Sequence, residues 1–90
     1  MIITWDADKA EANYKKHGIS FEEAQSVFFV PTSVTIEDRD HDEDRFITIA
    51  FSKELNLLVV VYAYKLDEEI RIISARKATK REANIYEERI

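Results

Sequence analysis

The sequence has no cysteine, and only one glycine, one proline, one methionine and one tryptophan in 90 residues. Without cysteine there is no disulfide scaffold and no thiolate metal site, a usage that fits a reducing compartment. With a single glycine there is no glycine-rich phosphate loop, and HExxH, Cys/His zinc spacing and a Ser-His-Asp arrangement are missing as well. The longest apolar run, Leu57 to Tyr64, is far too short to span a bilayer. The opening MIITWDADKAE meets charges before any apolar stretch of signal length, so no secretion signal is expected. The expectation is a cytoplasmic protein without membrane contact, in which residues 1–90 form one domain. A hydrophobic fraction of 46% supplies one core and argues against disorder.

Positive charge is the other scarcity. Thirteen Lys and Arg face eighteen Asp and Glu, for a formal net charge of -5. That balance excludes broad, nonspecific nucleic-acid binding over the whole surface, but not a local basic site. The charges are segregated. Ile36 to Asp44 (IEDRDHDED) holds six acids and one arginine, whereas Arg71 to Arg81 holds five cations and no acid.

The two backbone-special residues are both spent on bounding helices. Asp6 is suited to cap a first helix, with Asp8 in its first turn and Lys15, Lys16 and His17 in its last, as the macrodipole favours. Gly18 follows where a helix C′ residue needs a left-handed backbone. Ser20 and Glu23 have capping-box spacing for a second helix with Phe21, Ala24, Val27 and Phe28 on one face, and Pro31 stands where it must have ended. Four strand-like segments then follow: SVTIE, RFITIAFS, LLVVVYAY and EIRIISARK. KELN and KLDEE suit hairpin loops between them. Thr79 and Glu82 have capping-box spacing for a C-terminal helix through about Glu88. Ile2 to Thr4 fits a short extra strand. The predicted class is α+β: two N-terminal helices, a four-stranded antiparallel meander and a C-terminal helix, with Leu57 to Tyr64 central and covered on both faces.

Strict alternation along the last strand puts Arg71, Ile73 and Ala75 on one face and Ile72, Ser74 and Arg76 on the other. Arg71 then suits a pairing with a neighbouring carboxylate, and Arg76 a solvent contact at the strand end. Both equally suit anion binding, because guanidinium presents a planar fork matching phosphate oxygens. Lys77, Lys80 and Arg81 would add potential beside them, or Lys80 and Arg81 simply form an exposed helix face. His17 has the type of side chain that moves protons near neutrality, or it simply ends a helix. His41 sits among acids that favour its charged form, in a loop that lacks the pattern of a calcium site.

WDxxKxxxNxxKHGxxFEEAxxVF (Trp5 to Phe28) and RIISARKATxxExxxYE (Arg71 to Glu87), with an acidic D-x-D-H and an arginine between them, resemble the BrnT family of toxins from type II toxin–antitoxin pairs. The resemblance runs over nearly the whole chain. It implies a RelE-like α+β domain that inhibits growth by metal-free RNA cleavage and needs no cofactor. The implied partner is a BrnA-type ribbon-helix-helix antitoxin, two copies with two toxins, through which alone the complex touches DNA. By position, the implied catalytic residues are His17, Arg45, Arg71 and Arg76, with Lys16, Lys77, Lys80 and Arg81 on the RNA phosphates. Glu22, Glu82 and Tyr86 are further candidates for proton transfer. Val30, Asp42 and Ala50 depart from the family pattern, and none of them removes a candidate. The competing expectation is a non-catalytic module whose basic segment docks a DNA-binding partner in a repressor complex.

Overall fold

The computed structural model of the chain describes residues 1–38, 44–65 and 68–90. The predicted elements form in the predicted order: β1 (Ile2–Thr4), α1 (Ala7–His17), α2 (Phe21–Ala24), a 3-10 helix over Gln25–Phe29, β2 (Val34–Asp38), β3 (Arg45–Phe51), β4 (Leu57–Lys65), β5 (Glu69–Lys77) and α3 (Lys80–Arg89). The strands make one sheet in the order β1-β5-β4-β3-β2. β2 to β5 are the antiparallel meander, and β1 adds a parallel edge with Ile2, Ile3 and Thr4 opposite Glu69, Ile70 and Arg71. The fifth strand makes the sheet mixed rather than purely antiparallel.

β4 lies at the centre because it alone is apolar on both faces. On one face Leu58, Val60 and Tyr62 pack with Ile70, Ile72 and Ala75 beneath the helical layer, to which Ile19 in the link from α1 to α2, Phe21 and Ala24 of α2 and Val27 of the 3-10 helix contribute. Trp5 meets Phe21 edge-on at 5.9 Å. On the other face Val59 packs with Val34, Ile49 and Tyr86, the last carried by α3. Tyr86 also donates to the Thr32 carbonyl at 3.1 Å and abuts Phe51, which fixes α3 across the sheet. The sheet is thus sandwiched between a helix pair and a single helix.

Local chemistry sets the helix ends. The Asp6 side chain accepts from the Lys9 amide at 3.0 Å. Gly18 adopts φ 73° and returns its amide to the Tyr14 carbonyl; a Cβ there would meet nothing within 4 Å, so it is the dihedral and not crowding that requires glycine. The Thr79–Glu82 capping box is complete. The Ser20–Glu23 box is only half made. Ser20 Oγ accepts from the Glu23 amide, but the Glu23 carboxylate turns away to accept from Ser52 Oγ at 2.6 Å and Asn56 Nδ2 at 2.8 Å. That choice pins α2 to the β3–β4 turn, and Ser26 repeats the link by accepting from the Lys53 amide. The second helix tightens to 3-10 geometry from Gln25, yet it still buries Phe21, Ala24 and Val27 as their spacing predicts.

Two positions define how the fold is held. Asn13, only 8% exposed, donates to the Ile19 carbonyl and pairs with both backbone groups of Ala75, at 2.9 Å to the carbonyl and 3.1 Å from the amide. Since β1 reaches only to Arg71, this amide takes the place of a missing neighbour strand along β5. Leu55, in the β3–β4 turn, has φ 65° with its side chain 80% exposed, a left-handed backbone carried by an ill-suited residue. Asn13→Ala should therefore lower stability by roughly 2–4 kcal/mol, because it takes the side-chain partner from three buried backbone groups, the Ile19 carbonyl and both groups of Ala75. The check is the denaturant midpoint at unchanged m-value; a loss below about 0.5 kcal/mol would contradict this account. Leu55→Asn should raise stability by about 0.5–1 kcal/mol, seen as a few degrees in Tm, and a fall in Tm would show that the turn dihedral is not the controlling term.

Candidate functional site

The β4–β5 register breaks once. Val61 lies opposite Ser74, and the next residue, Tyr62, lies opposite Ile72, so Ile73 has no partner. A β-bulge of this kind shifts the alternation by one residue beyond it. Ile72 opposite Tyr62 and Ala75 opposite Val60 consequently share the helix-pair face and are buried there. Arg71 opposite Ala63 and Arg76 opposite Val59 both fall on the α3 face. Strict alternation, which separates the two arginines and groups Arg71 with Ala75, is wrong for this strand. Its error is the unmatched Ile73, next to the segment that Asn13 holds.

Three rows cross the α3 face. The first runs Asp38, Arg45, Ala63, Arg71, Thr4; the second Ile36, Ile47, Val61, Ser74; the third Val34, Ile49, Val59, Arg76. Arg45 and Arg71 flank Ala63 from the two neighbouring strands, two strand spacings or roughly 10 Å apart at Cα. Ala63 is only 3% exposed, although its row neighbours are arginines. Arg71 and Arg76 are separated along β4 by four residue steps, from Ala63 to Val59, about 14 Å. α3 covers the third row through Tyr86, and the middle row is half-buried. The sequence candidates Arg45, Arg71 and Arg76 thus ring one patch of apolar and small side chains, all three half-buried.

Arg76 does not simply reach solvent. Its Nη1 donates to Glu82 Oε1 at 2.7 Å and its Nη2 to Glu82 Oε2 at 2.8 Å, a two-pronged ion pair across the β5–α3 junction. Those hydrogen bonds, more than any other influence, hold the Glu82 carboxyl at about 2, well below the usual carboxylate range; the Thr79 amide lowers it further, while burial works the other way. Its partner Arg76 is pushed up by the same contact. Glu82 therefore stays ionised and does not fit the part of a proton donor near neutrality. Tyr86, the other α3 candidate, is buried in packing, and Glu22 is exposed in the first turn of α2, on the far side of the sheet.

The remaining candidates scatter. Lys80 and Arg81 are exposed in the first turn of α3, where the helix dipole disfavours cations. Lys77 is exposed at the end of β5, opposite Leu58, and Lys16 is exposed in the last turn of α1. His17 ends α1 half-buried, one turn beyond Asn13, on the helix-pair side of the sheet. It does not share the face of the three arginines. His41 and Asp42, with most of the acidic loop, lie outside the described residues, as do Leu66 and Asp67. Among the described residues no three His, Asp or Glu side chains gather as a metal site, and no helix is long and apolar enough to cross a membrane. Two contributors escaped the sequence reading. Asn13 and Ser74 both stand in the motifs that resemble the BrnT family, but neither was given a role there: Asn13 was read as part of the first helix, and Ser74, between the arginines, only by its strand position.

The chain matches the family model described as ribonuclease toxin, BrnT, of type II toxin–antitoxin systems over residues 5–82. Its fold is similar to the crystal structure of the Brucella abortus ribonuclease toxin BrnT, with TM-score 0.73 and 24% sequence identity, over 89% of this chain and 99% of that one. Among curated proteins no sequence match is found.

The Arg76–Glu82 pair has a pH signature. A carboxyl depressed from 4.5 to about 2 contributes stability that is complete above about 4.5 and is lost as pH falls toward 2. The stability difference between the native chain and Glu82→Gln should thus be largest above pH 5 and should vanish near pH 2. Denaturant midpoints across pH 2–7 measure it, and a difference independent of pH would contradict the ion pair.

Proposed function

The chain belongs to the BrnT family of ribonuclease toxins of type II toxin–antitoxin systems, and we propose that it is itself a metal-independent endoribonuclease that arrests growth by cleaving RNA. On this reading the substrate's own 2′-hydroxyl attacks the adjacent phosphorus, its proton passes to a base, and an acid protonates the departing 5′-oxygen. The products are a 2′,3′-cyclic phosphate and a free 5′-hydroxyl. Negative charge builds on the phosphoryl oxygens between those steps, and fixed donors aimed at it lower the barrier. Arg71, Arg76 and Arg45 are the donors in this scheme. Lys80 and Arg81, carried at a helix N-terminus at some cost in stability, extend the positive potential along the RNA backbone, with Lys77 and Lys16 beyond. His17 joins as acid or base only if the scissile phosphate crosses the edge of β5 past the end of β1, so the arginines carry more of the reading than the histidine does.

The observation that supports this function best is the bulge at Ile73, which gives one face three guanidinium groups around a half-buried patch. A type II toxin has an antitoxin; here we assign it the BrnA type, a ribbon-helix-helix protein that neutralises the toxin and alone contacts DNA, two of each in the complex. A second reading has one observation in its favour. Arg76 already has a carboxylate partner in the chain itself, as expected if it were structural and the basic segment only docked a partner in a repressor complex.

Inducible expression of the chain without antitoxin separates the two. Growth arrest with fragmented RNA is expected, relieved by Arg71→Ala and by Arg76→Ala in folded protein. Purified RNA cleavage should fall roughly 10²–10³-fold for each arginine and less for His17→Ala. Normal growth and intact RNA from soluble, folded protein would favour the docking module.

A further inference from the structure

We propose that Glu82 is a positioning residue, which holds the end of the Arg76 guanidinium so that its side edge, the Nε–H and the second Nη2–H, faces out as a two-pronged donor for one phosphate group. The inference rests on the reading that this face takes RNA.

A guanidinium has five N–H donors in one plane. Three of those of Arg76 are spoken for. One on Nη1 and one on Nη2 go to the two oxygens of Glu82, and the other on Nη1 points at the Lys77 carbonyl at 3.4 Å. The two that remain, Nε–H and the second Nη2–H, are parallel and on the same edge. Among the described residues they have no partner, and the side chain is 38% exposed. Parallel donors on one edge match two oxygens of a phosphate as well as the end of the group matches a carboxylate. The Glu82 contact therefore does not compete with an anion; it leaves one edge for it.

Glu82 is itself fixed. Its Oε1 accepts from the Thr79 amide at 2.9 Å, and its own amide donates to Thr79 Oγ1 at 3.2 Å, so the capping box of α3 anchors the carboxylate to the backbone. The guanidinium thus has one orientation before substrate arrives, and such preorganisation is worth large factors when charge develops at one point. The low carboxyl value of Glu82 keeps this clamp charged near neutrality. The same charge makes Glu82 a poor proton donor, so its effect on rate must pass through Arg76.

The test is a double-mutant cycle on purified, antitoxin-free chain. The readouts are kcat and KM for cleavage of a single-stranded RNA, together with affinity for its uncleavable 2′-O-methyl counterpart. Glutamine at position 82 keeps the capping box, which accepts Glu or Gln at this place, while the negative charge that faces Arg76 is lost. Glu82→Gln should lower kcat roughly 10–100-fold with a smaller change in KM. In the Arg76→Ala background it should do nothing more, because a residue acting through Arg76 has no route left. Arg76→Lys, which keeps the charge but not the fork, should fall as far as Arg76→Ala. Full activity in a folded Glu82→Gln, or losses that add in the double variant, would overturn the proposal and leave the ribonuclease standing. A native chain that neither cleaves nor binds RNA would remove the ribonuclease reading and the proposal with it.

Discussion

The pairing of Asn13 with Ala75 is the contact on which the rest of the molecule turns. It joins α1 to β5 where β5 has lost β1 as a neighbour, and it lies two residues past the bulge between β4 and β5. A buried side-chain amide that meets both backbone groups of one residue does the work of a strand at an edge. It also settles the phase of β5 beyond Ile73: Ala75 must point into the helix-pair core, and Arg76 must then point the other way. The placement of a charged group on one side of the sheet is thus decided by a neutral hydrogen-bonded group on the other.

From that phase the site follows. Arg71 and Arg76 join Arg45 on the face that α3 only partly covers. The turn into α3 then brings Glu82 back onto Arg76, so the cap of a helix and the clamp on a guanidinium are one structure. The acidic composition of the chain and its basic segment are compatible because the cations are concentrated where β5 becomes α3. A net charge of -5 disfavours nucleic-acid binding over most of the surface, and on the proposed function binding is confined to that junction. The chain belongs to a family of ribonuclease toxins, and the proposed function gives this arrangement the RNA phosphates as its target.

Much of the fold was legible because its signals are local. Asp6, Gly18, Thr79 and Glu82 mark helix ends through contacts within four residues, and the doubly apolar run at Leu57 identified the central strand. What stayed hidden depends on distant partners. The Glu23 carboxylate has a local use and a distant one, and the distant turn at Ser52 and Asn56 won it. Ile73 is an ordinary strand former, and neither glycine nor proline marks the bulge it makes. Every arginine of the site could be named from sequence, but the faces came out wrong, because one unmatched residue reverses alternation for all that follow. Likewise the strand-to-helix turn that joins Arg76 to Glu82 left no mark in either element's own pattern.

The register shift at Ile73 decides which face the arginines share, and solution NMR reads it directly. Cross-strand contacts between β4 and β5 should place Val61 opposite Ser74 and Tyr62 opposite Ile72, with Ile73 unmatched between them. Observing Tyr62 opposite Ile73, with the ladder continuous, would set Arg71 and Arg76 on opposite faces and contradict the account of the site.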